Sequence, residues 1–140
     1  MSEALFTYRG TVFPWHCDHM GHMNVMWYVG KFDEATWHFL NALGLSSDYL
    51  RGVNRGMAAV DQHIAYLRVL RAGNIVTIRS TLLEFKIRSL VFSHEMSNDE
   101  TGETAARTKL TAVHLDLATR KSCAFDGAIV AKANAMLAKA

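Results

Sequence analysis

From Asn24 onward the apolar residues Val25, Val29, Phe32, Phe39 and Leu43 recur every three or four positions, with Thr36 keeping the spacing. That is the period of an α-helix with one buried stripe. Asn24 stands where an N-cap would, and Gly44 falls just past the last periodic residue, where a left-handed C-terminal position favours glycine. The spacing predicts a helix of about twenty residues, about 30 Å long. Met26, Trp27, Phe39 and Leu40 add a second apolar stripe, as expected of a helix wrapped by a sheet.

Elsewhere the period is close to two. Leu5 to Phe13 reads as a first strand ended by Pro14. Beyond a polar, glycine-bearing connection from Ser46 to Gly56, the segments Met57 to Leu70, Ile75 to Phe85, Leu90 to Ser97 and Thr104 to Leu117 read as strands. The short breaks between them, Arg71-Ala72-Gly73-Asn74, Lys86-Ile87-Arg88-Ser89 and Asn98 to Glu103, predict antiparallel hairpins. Leu90, Phe92, His94 and Met96 alternate with Val91, Ser93 and Glu95, so one sheet face lies on a core and the other is only partly wet. The alanine-rich tail, about 126–140, predicts a short helix capped by Asp126. No linker or repeat divides the chain, so residues 1–140 are expected to form a single domain. One helix cannot cover both faces of such a sheet. The pattern therefore predicts an α+β fold, a curved antiparallel sheet wrapped around a long central helix, with a dimer removing an exposed edge.

Composition narrows the class of protein. Half the residues are hydrophobic and one is proline, which argues against disorder. The net charge of +2 comes from 15 basic and 13 acidic residues, well short of the footprint of a nucleic-acid binder. Ser2, Glu3 and Arg9 interrupt any leader-like run, and no long apolar span follows. The chain is thus expected to be cytoplasmic, off the membrane, with Cys17 and Cys123 reduced.

The chemistry concentrates in Trp15-His16-Cys17-Asp18-His19-Met20-Gly21-His22-Met23-Asn24. A carboxylate, several imidazoles and a helix N-terminus could combine a base with a site for developing negative charge. A plainer reading stays open, in which Asp18 only caps a turn, Asn24 only caps the helix and Tyr28 is a buried tyrosine with a satisfied hydroxyl. The repeat His16-x-x-His19-x-x-His22 fits no common zinc motif, so no metal is expected. Cys17 has histidine beside it but is not the favoured nucleophile.

The loop Asp18-x-x-Gly21-His22-x-Asn24 entering the helix, followed by Tyr28, then Leu70-Arg71-Ala72-Gly73-Asn74 and Arg88-Ser89 opening a strand, resembles the hotdog-fold acyl-CoA thioesterases of the 4-hydroxybenzoyl-CoA thioesterase-like family. The likeness covers about Phe6 to Leu117. Trp15, His16 and His19 are not generic features of that family, Asn74 stands where members commonly carry aspartate, and the tail runs past the usual end.

The resemblance implies hydrolysis of a CoA thioester in a homodimer or dimer of dimers, with the site between chains and no cofactor beyond the CoA of the substrate. Asp18 matches the catalytic carboxylate, acting as nucleophile or general base, and His22 and Asn24 accompany it. Backbone N–H groups at the helix entrance, around Met23 and Val25, would meet the oxyanion. Tyr28, Arg88 and Ser89 would contact substrate, and on the residues alone Trp15 is a further candidate lining the acyl pocket. Tryptophan faces among Trp15, Trp27 and Trp37 could hold a cationic acyl group. A hotdog hydratase or dehydratase, or a non-catalytic acyl-CoA-binding domain, are the alternatives.

Overall fold

The computed structural model describes residues 4–138, so the outermost positions of the expected domain and of its tail, 1–3 and 139–140, lie outside it. The strongest signal in the sequence becomes the longest helix. Asn24, in extended backbone, accepts the Met26 N–H on its side chain and starts α1 (Val25–Ala42). Past its end, Gly44 takes φ +88°, a conformation that penalises any Cβ.

Around α1 the chain lays down β1 (Leu5–Thr11), β2 (Arg55–Tyr66), β3 (Ile75–Phe85), β4 (Ser89–Asn98) and β5 (Thr104–Asp116). They form one antiparallel sheet in the order β1-β3-β4-β5-β2, and the two-residue β6 (Lys121–Ser122) adds to β5. Register shifts interrupt the pairings at Phe6/Tyr8, Ala59/Asp61, Leu82/Glu84 and Met96/Ser97. Such bulges bend strands and increase twist, which lets the sheet curl around the helix. The result is the curved sheet on a central helix that the pattern predicts.

The core fills the space between them in two clusters. Towards the start of α1, Tyr28, Phe32 and Ala35 pack with Val12, Leu70, Val76, Ile78 and Met96. Towards its end, Phe39, Leu40 and Leu43 pack with Leu82, Leu90, Phe92, Leu110, Phe125 and Ile129. Truncating Phe32 or Phe39, both fully buried, to alanine would cost about 3–5 kcal/mol.

The buried stripe of α1 is rotated from the one drawn from sequence. Val25 and Val29 are 56% and 40% exposed, and Met26 and Trp37 face outward as well, while Lys31 is only 3% exposed. A helix that is apolar on more than one side has no unique phase in its pattern, and packing chooses among them. Other segments differ as well. The polar connection folds as a short helix, α2 (Ser47–Gly52), capped by Ser46. The strand expected to run to Leu70 ends at Tyr66, where the Leu67 and Arg68 N–H groups both turn to the Ala105 carbonyl. β1 stops at Thr11, and Pro14–His16 forms a single 3-10 turn. The tail folds as α3 (Gly127–Leu137), capped by Asp126, whose carboxylate also accepts the Tyr49 hydroxyl of α2.

Candidate active site

Leading into α1, Cys17 and Met23 bridge across a tight hairpin. Gly21 N–H donates to the Asp18 carbonyl at 3.0 Å and Asp18 N–H to the His22 carbonyl at 3.1 Å, with Gly21 at φ +81°. This is a type I turn closed by a left-handed residue, which explains glycine three positions after the aspartate. The side chain of Asp18 is held twice. Its Oδ1 accepts the Met20 N–H and its Oδ2 accepts the Asn24 side-chain amide, each at 2.9 Å. Asn24 uses both ends of its side-chain amide, since its Oδ1 accepts the Met26 N–H at 3.0 Å while its Nδ2 donates to the Asp18 carboxylate.

These donors set the electrostatics. The Asn24 amide first, and the Met20 N–H next, hold the Asp18 carboxyl below the ordinary carboxylate range, with His22 and His19 pulling the same way. Asp18 is only partly covered and stays ionised at neutral pH. His22 sits half-buried beside it.

The two oxyanion donors expected at the helix entrance do not share one fate. Met23 N–H donates to the Leu70 carbonyl at 2.7 Å, so it is spent on holding the loop to the sheet. Asn24 N–H likewise goes to the His16 carbonyl at 2.9 Å. Val25, the first residue of α1, keeps an N–H without an acceptor among the described residues, on an exposed face with the positive end of the helix behind it.

Other expected residues lie further off. Tyr28 is 4% exposed and donates its hydroxyl to the Arg68 carbonyl at 3.1 Å, so it braces the segment that receives Met23 and offers no hydroxyl to a substrate. Trp15 is exposed and lies flat on Phe13, ring centroids 4.5 Å apart. His16 turns inward against Trp27, and its Nδ1 accepts the Phe13 N–H at 3.0 Å, so that imidazole does not converge with His19 and His22. Burial, then the nearby Lys31, pushes the pKa of His16 down. Arg88 and Ser89 follow the far end of the 11-residue β3, whose near end lies by the Asp18 loop, so within one protomer they stand about a strand's length, roughly 30 Å, from that loop.

Two grooves flank the exposed ridge of α1. The larger, about 690 Å³, runs between α1 and the β2–α2 side, past Met26, Asp33, Thr36 and Trp37 to Leu50 and Phe92. The smaller, about 430 Å³, lies between α1 and β1 and holds Trp15, His16, Trp27, Lys31 and Glu34. Sequence reasoning missed Lys31, Asp33 and Thr36 as groove residues. The available signal was a lysine four positions before the buried Ala35.

The profile of the thioesterase-like superfamily matches residues 12–133. The chain is 26% identical over 136 residues to a betainyl-CoA thioesterase of Pseudomonas aeruginosa, covering 97% of this chain and 86% of that protein. It is 27% identical over 123 residues to the long-chain acyl-CoA thioesterase FadM of Escherichia coli, covering 88% and 92%. In three dimensions it superposes with a TM-score of 0.92 on a Staphylococcus aureus protein solved in complex with CoA, at 19% identity, covering 99% of this chain and 87% of that one. Fold and sequence thus define a hotdog-fold thioester hydrolase, and the hydratase and non-catalytic alternatives give way. The chain belongs to the thioesterase-like superfamily.

Proposed function

We propose that the protein hydrolyses acyl-CoA thioesters with Asp18 as its reacting carboxylate. The observation that carries this is the Asp18 side chain, fixed by Asn24 and Met20 N–H beside the free Val25 N–H at the mouth of α1. A thioester suits so small a machinery, because its leaving thiol titrates near pH 8.5 and departs as thiolate with little acid help. Asp18 attacks the carbonyl carbon directly, giving a mixed anhydride that water then opens, or takes a proton from a water that attacks. On either route the carbonyl oxygen becomes an oxyanion, which the Val25 N–H stabilises, and the C–S bond breaks as the carbonyl reforms. One such donor is worth about 3 kcal/mol. The relatives are named for a betainyl and a long-chain ester, so what they share is the acyl-CoA thioester, and no common acyl group is carried over.

The working unit is a homodimer in this reading. Among the described residues the 12-residue β2 pairs on one side only and leaves its other edge open, with Val60 61% exposed on it, and the α1 face that carries Val25, Met26 and Trp37 is exposed and apolar as well. A second copy would cover both and bring other residues to the site, Arg88 and Ser89 among the candidates.

Thiol release from a panel of acyl-CoAs tests the proposal. Asp18→Asn, still folded by circular dichroism, should lower kcat at least a hundredfold. A variant that retains more than a tenth of the activity overturns the role of Asp18. A borohydride quench followed by mass analysis of the Asp18 peptide separates the two routes, because only the direct one leaves a reducible acyl group on the carboxyl.

A further inference from the structure

At the other end of α1 from the Asp18 loop, β5 and the residue after β6 set an imidazole against a thiol. His114, on β5, is 2% exposed, and its ring stacks on Phe125 with centroids 4.6 Å apart. Phe125 in turn packs in the cluster of Phe39 and Leu43 at the end of the helix. The Cys123 N–H donates to the His114 carbonyl at 2.9 Å, which holds the two residues side by side. His114 Nδ1 then faces both the Cys123 carbonyl oxygen, at 3.1 Å, and the Cys123 Sγ, at 3.5 Å.

Two further observations set this pair apart from a packing cysteine and a packing histidine. His114 Nε2 is buried and has no hydrogen-bond partner among the described residues, so nothing at that atom fixes the ring proton, and Nδ1 can meet the thiol as an acceptor. Buried polar atoms are nearly always paired, and an exception calls for a role. A carboxylate also stands within electrostatic range. Asp126, the cap of α3, is held below the ordinary carboxylate range first by the Tyr49 hydroxyl, then by the Ile129 N–H, and least by His114. A negative group thus faces an imidazolium formed at His114. The cations of this corner are otherwise engaged or lie outside, since Arg55 pairs with Asp116 at 3.5 Å and Arg120 and Lys121 are exposed. Cys17 is the natural comparison. Both thiols are free and partly covered, but Cys17 Sγ donates to the Phe13 carbonyl at 3.8 Å, and the imidazole of neighbouring His16 is taken up by the Phe13 N–H.

We propose that Cys123 is a redox-reactive thiol, with His114 as the base that takes its proton and a small peroxide as its oxidant. The proposal stands apart from the thioesterase reading, because neither residue belongs to the Asp18 loop or lines a groove beside α1. His114 Nδ1 takes the thiol proton, and the Cys123 carbonyl at 3.1 Å accepts the N–H so formed. The thiolate attacks one oxygen of hydrogen peroxide, the O–O bond breaks, and the departing hydroxide collects the proton from Nδ1 and leaves as water. Sulfur is oxidised to a sulfenic acid, and the peroxide is reduced. The oxidant has to be small, because Cys123 is only partly open and His114 and Phe125 beside it are buried. No disulfide within the chain consumes the product. Cys17 packs with the core cluster at the start of α1, and Phe125 with the one at its end. The 18 residues of that helix span about 27 Å, far beyond the Cα separation of about 4–7 Å that a disulfide bridges.

The test treats the reduced, full-length protein with hydrogen peroxide in the presence of dimedone, which traps sulfenic acid, and follows the two cysteine peptides by mass analysis. In wild type, Cys123 should be labelled at least tenfold faster than Cys17. His114→Gln keeps a donor for the Cys123 carbonyl but supplies no base, so labelling of Cys123 should slow at least tenfold while that of Cys17 holds, in protein whose circular dichroism matches wild type. Where His114→Gln fails to fold, His114→Phe, which keeps the stack on Phe125, serves the same comparison. Equal rates at the two thiols in wild type overturn the proposal without any variant. So does a Cys123 rate that is unchanged in a folded variant lacking the imidazole.

Discussion

Asn24 shows how much one side chain carries at the residue scale. Its carbonyl oxygen begins the helix and its amide nitrogen fixes the carboxylate, so Asn24→Ala should cost about 1 kcal/mol of stability through the lost cap, measured by urea denaturation. It should also alter the pH profile in a definite direction. Donors to a carboxylate favour its charged form, and the Asn24 amide is the largest cause of the lowered Asp18 pKa. Removing it lets that pKa rise, so the acid limb of kcat/KM moves to higher pH. An unmoved limb would show that another group controls the reaction. At this scale the loop was legible, because Gly21, Asp18 and Asn24 follow turn and cap chemistry that depends only on near neighbours. Lys31 was not, since a long aliphatic stem allows lysine to lie along apolar surface at positions that a pattern assigns to the core.

Among elements, the polar line through the core matters most. Thr36 of α1 meets His94 Nε2 on β4 at 2.8 Å, His94 Nδ1 meets Ser80 on β3 at 2.5 Å, and Ser80 meets Thr7 on β1 at 2.7 Å. Helix and three strands are thereby tied at one level, with His94 stacked on Phe32. Burial pushes the His94 imidazole down to about 4. The unfolded chain, with an ordinary pKa near 6.5, then binds more protons than the folded one between these values. Stability should fall by about 3 kcal/mol as pH drops from 6.5 to 4. Denaturant titrations across that range check it, and His94→Phe should flatten the slope whatever it does to absolute stability. The existence and order of the long elements were readable from periodicity. The phase of α1 and the end of β2 were not, because both depend on which partner surface wins.

For the whole molecule, curvature and the open edge govern behaviour. Sequence showed that one helix had to serve a five-stranded sheet, and so that the sheet had to bend. The bulges that bend it carry no signature of their own in residues such as Ala59 and Asp61. Val60, left outward by one of them, is the natural probe of the edge. In the proposed homodimer a lysine there should oppose strand-to-strand association, so Val60→Lys should give a monomer in sedimentation velocity and lower activity at equal concentration. A wild type that sediments as a monomer at working concentration, with full turnover, would dismiss the shared site.

The double grip of Asn24 also ties turnover to motion. Helix ends open and close far more often than whole proteins unfold, and each time the first turn of α1 loosens, the amide that steadies the Asp18 carboxylate, the proposed reacting group, loosens with it. Heat would then dull the catalyst from its tip inward, with efficiency slipping while the sheet and its core are still intact.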